Sequence, residues 1–200
     1  MNTTQLTALQ ARPLAQALPK GDDNANPRDI GFWALLREDF ATHGSGWLTQ
    51  GFWTLCVHRF GNWRMGLQSR WLRLPFSIVY RLLFKACEIL CGMKLSYNVR
   101  VGRRVTLEHF GAMILGARSI GNDVTIRQNT TFGVRSKKDL NAKPIIEDRV
   151  DIGCGVAILG DVRVGHDSII GANAVVLEDV PPYSVVVGVP GKVIKTIKPQ

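Results

Sequence analysis

The sequence predicts an all-β body, a left-handed parallel β-helix, preceded by a small α-helical region. Three observations predict it. Ile146, Ile152, Ile158, Val164, Ile170 and Val176 recur at intervals of six. A second series follows four places after each member: Val150, Val156, Val162, Ser168, Ala174 and Val180. Most of the glycines lie after residue 100. A period of six belongs to neither a helix nor simple strand alternation. It fits a coil of three flat faces, with one aliphatic pointing inward on each face and a small residue filling the corner beside it. Such a coil cannot bury its apolar side alone, so successive coils stack and share one core.

In chain order, residues 1–28 are polar and broken by Pro13, Pro19, Gly21 and Pro27, which predicts a loose arm with a short helix around residues 4–12. A helical region is expected over 29–93. Phe32, Leu35, Leu36 and Phe40 give a first helix near 30–41, ended by Gly44 and Gly46. Phe52, Leu55, Cys56 and Phe60 share one face of a second. Pro75 is expected to open a third, which Gly92 stops. This last helix is apolar around most of its circumference and must be covered, first by subunit or domain contacts and second by a membrane surface.

The coil itself is expected over 94–180. Leu95, Val101 and Leu107 start it, and Ile114, Ile120, Ile126 and Phe132 continue after a slip of one residue near Phe110–Met113. Glycines such as Gly102, Gly121, Gly153, Gly165 and Gly171 are placed where the chain turns tightly. A polar insertion at 134–144 reads as a loop thrown off the coil, where binding residues tend to sit. Residues 181–200 are expected to leave the coil as a tail.

The chain is basic, with 25 Lys and Arg against 16 Asp and Glu, but it carries no nucleic-acid-binding motif. Nucleic acid is therefore not an expected partner, whereas the anionic part of a coenzyme is. The four cysteines fit neither a zinc site nor a disulfide framework, so no metal is expected. No secretory leader and no run long enough to span a bilayer are read, which points to the cytoplasm or the inner face of a membrane, with at most weak peripheral contact.

The segments VGRRVTLEHFGAMILG, IGNDVTIRQNTTFG, IEDRVDIGCGVAILGDVRVG and IGANAVVLEDVPPYSVVVGVPGKVI, with the helical LREDFATHG and GFWTLCVHRFGNW, resemble the serine O-acetyltransferase group of hexapeptide-repeat acyltransferases. The resemblance covers about residues 35–195 and looks especially like the shorter, colanic-acid type members of polysaccharide pathways. It implies a homotrimer with acetyl-CoA in the groove between neighbouring coils. The histidine that takes the proton from the acceptor hydroxyl falls on His109. That role suits the chemistry, since an alcohol attacking a thioester needs a base poised near neutral pH.

Other positions carry over one by one. Asp39 matches an aspartate that contacts serine in the family. Glu108 stands where the family has the aspartate of an Asp-His pair, and Phe110 follows the base as an aromatic face for the acceptor. Lys94 replaces the aspartate that orients the base. Ala142-Lys143-Pro144 replaces an Arg-His-Pro, leaving Lys143 as the charge on the loop. On the coenzyme side Gly133, Val134, Cys154, Gly155 and Ala172 match the groove, and Arg135, Lys192 and Lys195 are candidate partners for its phosphates. The lost arginine is the fork-shaped donor suited to a carboxylate. The sequence alone therefore favours a saccharide or exopolysaccharide hydroxyl as acceptor, with free serine as the alternative and a non-catalytic β-helix scaffold as a third reading.

Overall fold

The computed structural model describes residues 21–197 and shows a small α-helical region followed by a parallel β-solenoid. The short helix expected around 4–12 lies outside the described residues. The described end of the expected arm is docked, not loose. Asn26 is buried, its Nδ2 donates to the Arg59 carbonyl at 3.0 Å, and the Ala25 N–H donates to Asn62 Oδ1 at 3.1 Å.

Helices α1 (Phe32–Thr42) and α2 (Gln50–Trp63) follow the first two apolar periodicities. Helix α3 spans Arg70–Ala86, so Pro75 lies inside it and not at its first turn. The helix is already closed by the Arg73 N–H to Ser69 carbonyl bond, and the proline costs it only the bond to the Trp71 carbonyl. A wider turn, Cys87–Cys91, then ends at Gly92 in the left-handed conformation, φ +62°.

Three parallel sheets form the faces of the solenoid. Face one holds β1 (Met93–Lys94), β4 (Met113–Leu115), β7 (Thr131–Gly133), β10 (Ala157–Leu159) and β13 (Val175–Val176). Face two holds β2 (Arg100–Val101), β5 (Ser119–Ile120), β8 (Ile145–Ile146) and β11 (Arg163–Val164). Face three holds β3 (Thr106–Glu108), β6 (Thr125–Arg127), β9 (Asp151–Ile152), β12 (Ile169–Ile170) and β14 (Ser184–Val187), with β15 (Lys192–Thr196) antiparallel at its edge. Ile146 pairs with Val164, Ile152 with Ile170 and Ile158 with Val176, the eighteen-residue turn that a six-residue period demands. Both repeating series are buried, including the corner residues Val150, Val156, Ser168 and Ala174. The Ser168 hydroxyl is tolerated there because it donates to the Pro181 carbonyl and accepts the Ser184 N–H.

Three details correct the sequence reading. Ile114, expected inward, is half exposed, while Met113 and Leu115 on either side are buried. Met113 pairs with Met93 in the preceding coil and Leu115 with Phe132 in the next, so β4 passes the core from one register to the other. The corner glycines do not take the left-handed turn. Arg104, Asp123, Arg149, Asp167 and Asn173 do, with φ of +52° to +59°. Glycine is needed for close approach: a Cβ on Gly102 would meet the Gly121 carbonyl carbon at 2.6 Å, and one on Gly153 the Ala172 nitrogen at 2.6 Å. Finally, the coil continues past 181, because β14 pairs with β12 before the chain reverses into β15.

The helical region is clamped to the first coil by α2. Arg59, fully buried, holds both oxygens of the buried Asp39 through Nε at 2.9 Å and Nη2 at 3.4 Å. It also donates to the carbonyls of Val101 and Gly102 at 2.8 and 2.6 Å. Burial pushes the Asp39 carboxyl up and Arg59 pulls it back; the two-pronged geometry is that of a carboxylate. His58 beside it uses Nε2 to donate to the Val99 carbonyl at 2.9 Å, and Nδ1 has no partner among the described residues.

His58 gives the fold a measurable acid sensitivity. Burial, with the nearby Arg59 charge, pushes its pKa down to about 3. The unfolded chain binds that proton below about pH 6.5, and the folded chain refuses it until about pH 3. Stability is therefore lost as pH falls through this window, by at most about 1.4 kcal/mol per pH unit. Thermal melts taken from neutral pH downward should show Tm falling with pH, and a His58→Gln variant should show a flatter dependence.

Candidate active site

The chemistry-bearing residues gather where face three turns into face one. Strand β3 ends at Glu108, and His109 follows with φ +66°, then Gly111 with φ +138°. In later coils the left-handed residue of this edge comes three places after the inward aliphatic: Asn129 after Ile126, Gly155 after Ile152, Asn173 after Ile170. After Leu107 it comes two places on, at His109. Left-handed backbone is uncommon outside glycine, and histidine is among the residues that accept it more readily. The imidazole is exposed and makes no hydrogen bond among the described residues.

The backbone below it is held firmly. His43, the C-terminal cap of α1, donates from Nδ1 to the Asp39 carbonyl at 2.7 Å, and its Nε2 accepts the Leu107 N–H at 3.2 Å. One neutral tautomer satisfies both bonds and ties α1 to β3 two residues before His109. Gly51 at the start of α2 completes the contact, since a Cβ there would lie 2.2 Å from the Leu107 carbonyl oxygen.

Glu108 pairs with Arg127, its neighbour in register on β6, at 3.1 Å. Arg127 also pairs with Asp151 on β9. A carboxylate–guanidinium–carboxylate ladder thus runs up face three beside the base, and all three side chains are partly exposed. Lys94 points elsewhere, to Glu88 at 3.4 Å.

Asp39 is not where a substrate could reach it. The resemblance implied a contact with serine, but both oxygens of Asp39 belong to the buried pair with Arg59. Phe110 is 59 % exposed on the same edge as His109. Cys154, Gly155 and Ala172 share that edge, where the Gly155 N–H donates to the Gln128 carbonyl and the Asn173 N–H to the Cys154 carbonyl. Gly133, Val134 and Arg135 begin the loop where face one turns into face two, and Lys143 stands at its far end. Lys192 and Lys195 lie exposed on β15 at the end of face three. Within one chain, then, the expected coenzyme residues are divided between edges: Cys154, Gly155 and Ala172 lie on that of His109, whereas Gly133, Val134 and Arg135 lie on another.

Sequence reasoning missed Arg127, Gly51 and the bridge made by His43. Arg127 was within reach: it follows the inward Ile126 as Glu108 follows the inward Leu107, so the repeat alone stacks them.

No protein-family model matches the chain. A serine acetyltransferase of Mycobacterium tuberculosis is 38 % identical over 144 residues, 72 % of this chain and 60 % of that protein. Among solved structures, the Neisseria gonorrhoeae serine acetyltransferase superposes with a TM-score of 0.67 at 27 % identity, covering 84 % of this chain and 66 % of that one. A soybean serine acetyltransferase complexed with serine gives 0.68 at 26 %, covering 82 % and 69 %. The chain is similar to serine acetyltransferases in both sequence and fold. It spans 60 to 65 % of the length of the curated relatives first matched. Their names overturn the saccharide acceptor inferred from the missing loop arginine: the proteins this chain resembles are serine acetyltransferases.

The contact between α2 and β3 can be tested directly. Gly51→Ala should lower stability by about 2 kcal/mol or more, because the clash is with backbone that cannot step aside. Denaturant midpoints would measure it; an unchanged midpoint would mean that α2 does not press on β3.

Proposed function

We propose that this chain transfers an acetyl group from acetyl-CoA to the hydroxyl of serine, with His109 as general base. The observation that carries the reading is the exposed His109 at a corner one residue out of step, beside the Glu108–Arg127 pair. The names of the relatives supply the substrate class.

In this reading, His109 takes the proton from the serine hydroxyl as its oxygen attacks the thioester carbonyl. Backbone amides near Gly133 stabilise the tetrahedral oxyanion. The intermediate collapses by breaking the C–S bond, and the imidazolium returns its proton to the departing thiolate. Zwitterionic serine needs both of its charges met. Glu108 meets the ammonium and Arg127 the carboxylate, so the fork-shaped donor absent from the loop is supplied from β6. Lys143 adds charge from the loop.

A parallel homotrimer accounts for the separation of the two edges. A threefold rotation sets unlike surfaces against each other. The edge bearing Gly133, Val134 and Arg135 of one chain then faces the edge bearing His109, Cys154, Gly155 and Ala172 of the next. Small residues leave room for the pantetheine arm, and Arg135, Lys192 and Lys195 meet the phosphates. Both substrates are cytoplasmic metabolites, and the cytoplasm is the compartment proposed.

Kinetics decide the roles. His109→Ala should lower kcat/KM for serine by roughly a hundred- to ten-thousandfold. Arg127→Lys should raise the KM for serine about tenfold and leave that for acetyl-CoA nearly unchanged, the loss expected for a two-pronged bond to a charged group. Wild-type chain that releases no CoA thiol in the presence of serine would overturn the reading. Sedimentation equilibrium tests the assembly: a trimer mass is expected, and a monomer at micromolar concentration would remove the shared site.

A further inference from the structure

Helix α3 carries a face that no described residue covers. Trp71, Ile78 and Leu82 fall on one line along it, at spacings that return to the same side of a helix, and are 84, 54 and 68 % exposed. Leu72 runs beside them, also exposed, and Ile89 and Leu90 in the wider turn that follows are exposed too. Of the α3 side chains only Tyr80 is buried. The apolar stripe is bordered along one side by Arg70, Arg81 and Lys85, and Arg70 and Arg81 make no ion pair among the described residues. Helix α3 itself contains no carboxylate, and Glu88 just beyond it is already shared by Lys85 and Lys94.

We propose that α3 is a docking surface for an anionic lipid bilayer, lying in the plane of the headgroups. A broad apolar face flanked by arginine and lysine, with tryptophan at one end, is what an interfacial helix requires: the apolar side enters the acyl boundary and the cations meet phosphate. Crossing the bilayer is a different matter, and no helix among the described residues is long and apolar enough for it. Charge weighs against the same helix of a second copy as the occupant. Another α3 would bring the same arginines and no free carboxylate to receive them. The net charge of +9 favours an anionic surface in the same direction. None of these side chains is among those proposed to act in acetyl transfer, so the inference stands whether or not serine is the acceptor.

The experiment is co-sedimentation of the full chain with phosphatidylcholine vesicles, with and without phosphatidylglycerol. Binding is expected on the anionic vesicles, weakening as salt rises. Arg81→Gln and Arg70→Gln should each lower partitioning about fivefold. Leu82→Glu, on an exposed side chain, should reduce it to background while circular dichroism stays that of the wild type. Binding that Leu82→Glu leaves intact would overturn the proposal. So would failure to bind anionic vesicles at low salt. In that case a self-association abolished by Leu82→Glu identifies a second copy as the cover.

Discussion

The controlling constraint is the stack of inward aliphatics, one per face, each covered only by the coil before it and the coil after it. The first coil has nothing before it. Met93, Val99 and Val101 would open to water there, and they are instead buried in one cluster with Leu55 of α2 and the two cysteines Cys87 and Cys91. Covering such side chains is worth roughly 1.5–3 kcal/mol each. The helical region is thus the lid of the core as well as a neighbour to it. At the other end, β15 reverses along β14 and closes the last edge of face three.

The open end is also unsatisfied in its polar groups. Edge carbonyls of the first coil have no preceding strand to donate to them, and buried carbonyls left without donors are costly. Helix α2 brings the donors. His58 reaches Val99, and Arg59 reaches Val101 and Gly102. Arg59 carries a charge into this dry place, which would be prohibitive alone, and Asp39 is the counter-charge that makes it tolerable. The family-like aspartate of α1 therefore serves the clamp. On the third edge the same logic runs in reverse, with His43 accepting the Leu107 N–H. The His43 link also fixes the strand from which Glu108 and His109 emerge.

How much of this could be read in the sequence follows from the same physics. Period six is imposed by geometry on every coil, so the faces from Ile146 to Val176 and their corner residues could be read without error. The slip could not be placed, because a strand that points two side chains inward, Met113 and Leu115, looks in one dimension like a single aliphatic run, and Ile114 between them fits the count equally well. Glycines were found at the right positions for a different reason than the one inferred, since crowding between coils leaves no mark distinct from a left-handed turn. The start of α3 was hidden by Pro75, whose usual place at a first turn is a preference and not a rule.

The site was legible where it obeys the repeat and illegible where it is built across elements. His109 is singled out in one dimension by its match to the family's histidine, and the structure puts it on an exposed corner with left-handed backbone. The acceptor did not, and the reason is instructive. Its inference rested on an arginine and a histidine lost from one loop, as though a carboxylate could be bound only from that point of the chain. In a solenoid, a side chain eighteen or so residues away is a direct neighbour, and Arg127 lies in register with Glu108. A charge missing from one motif can be present in the coil next to it, where no motif records it. Loss of a binding residue in a stacked fold is evidence about substrate only after the residues directly above and below the gap have been read as well.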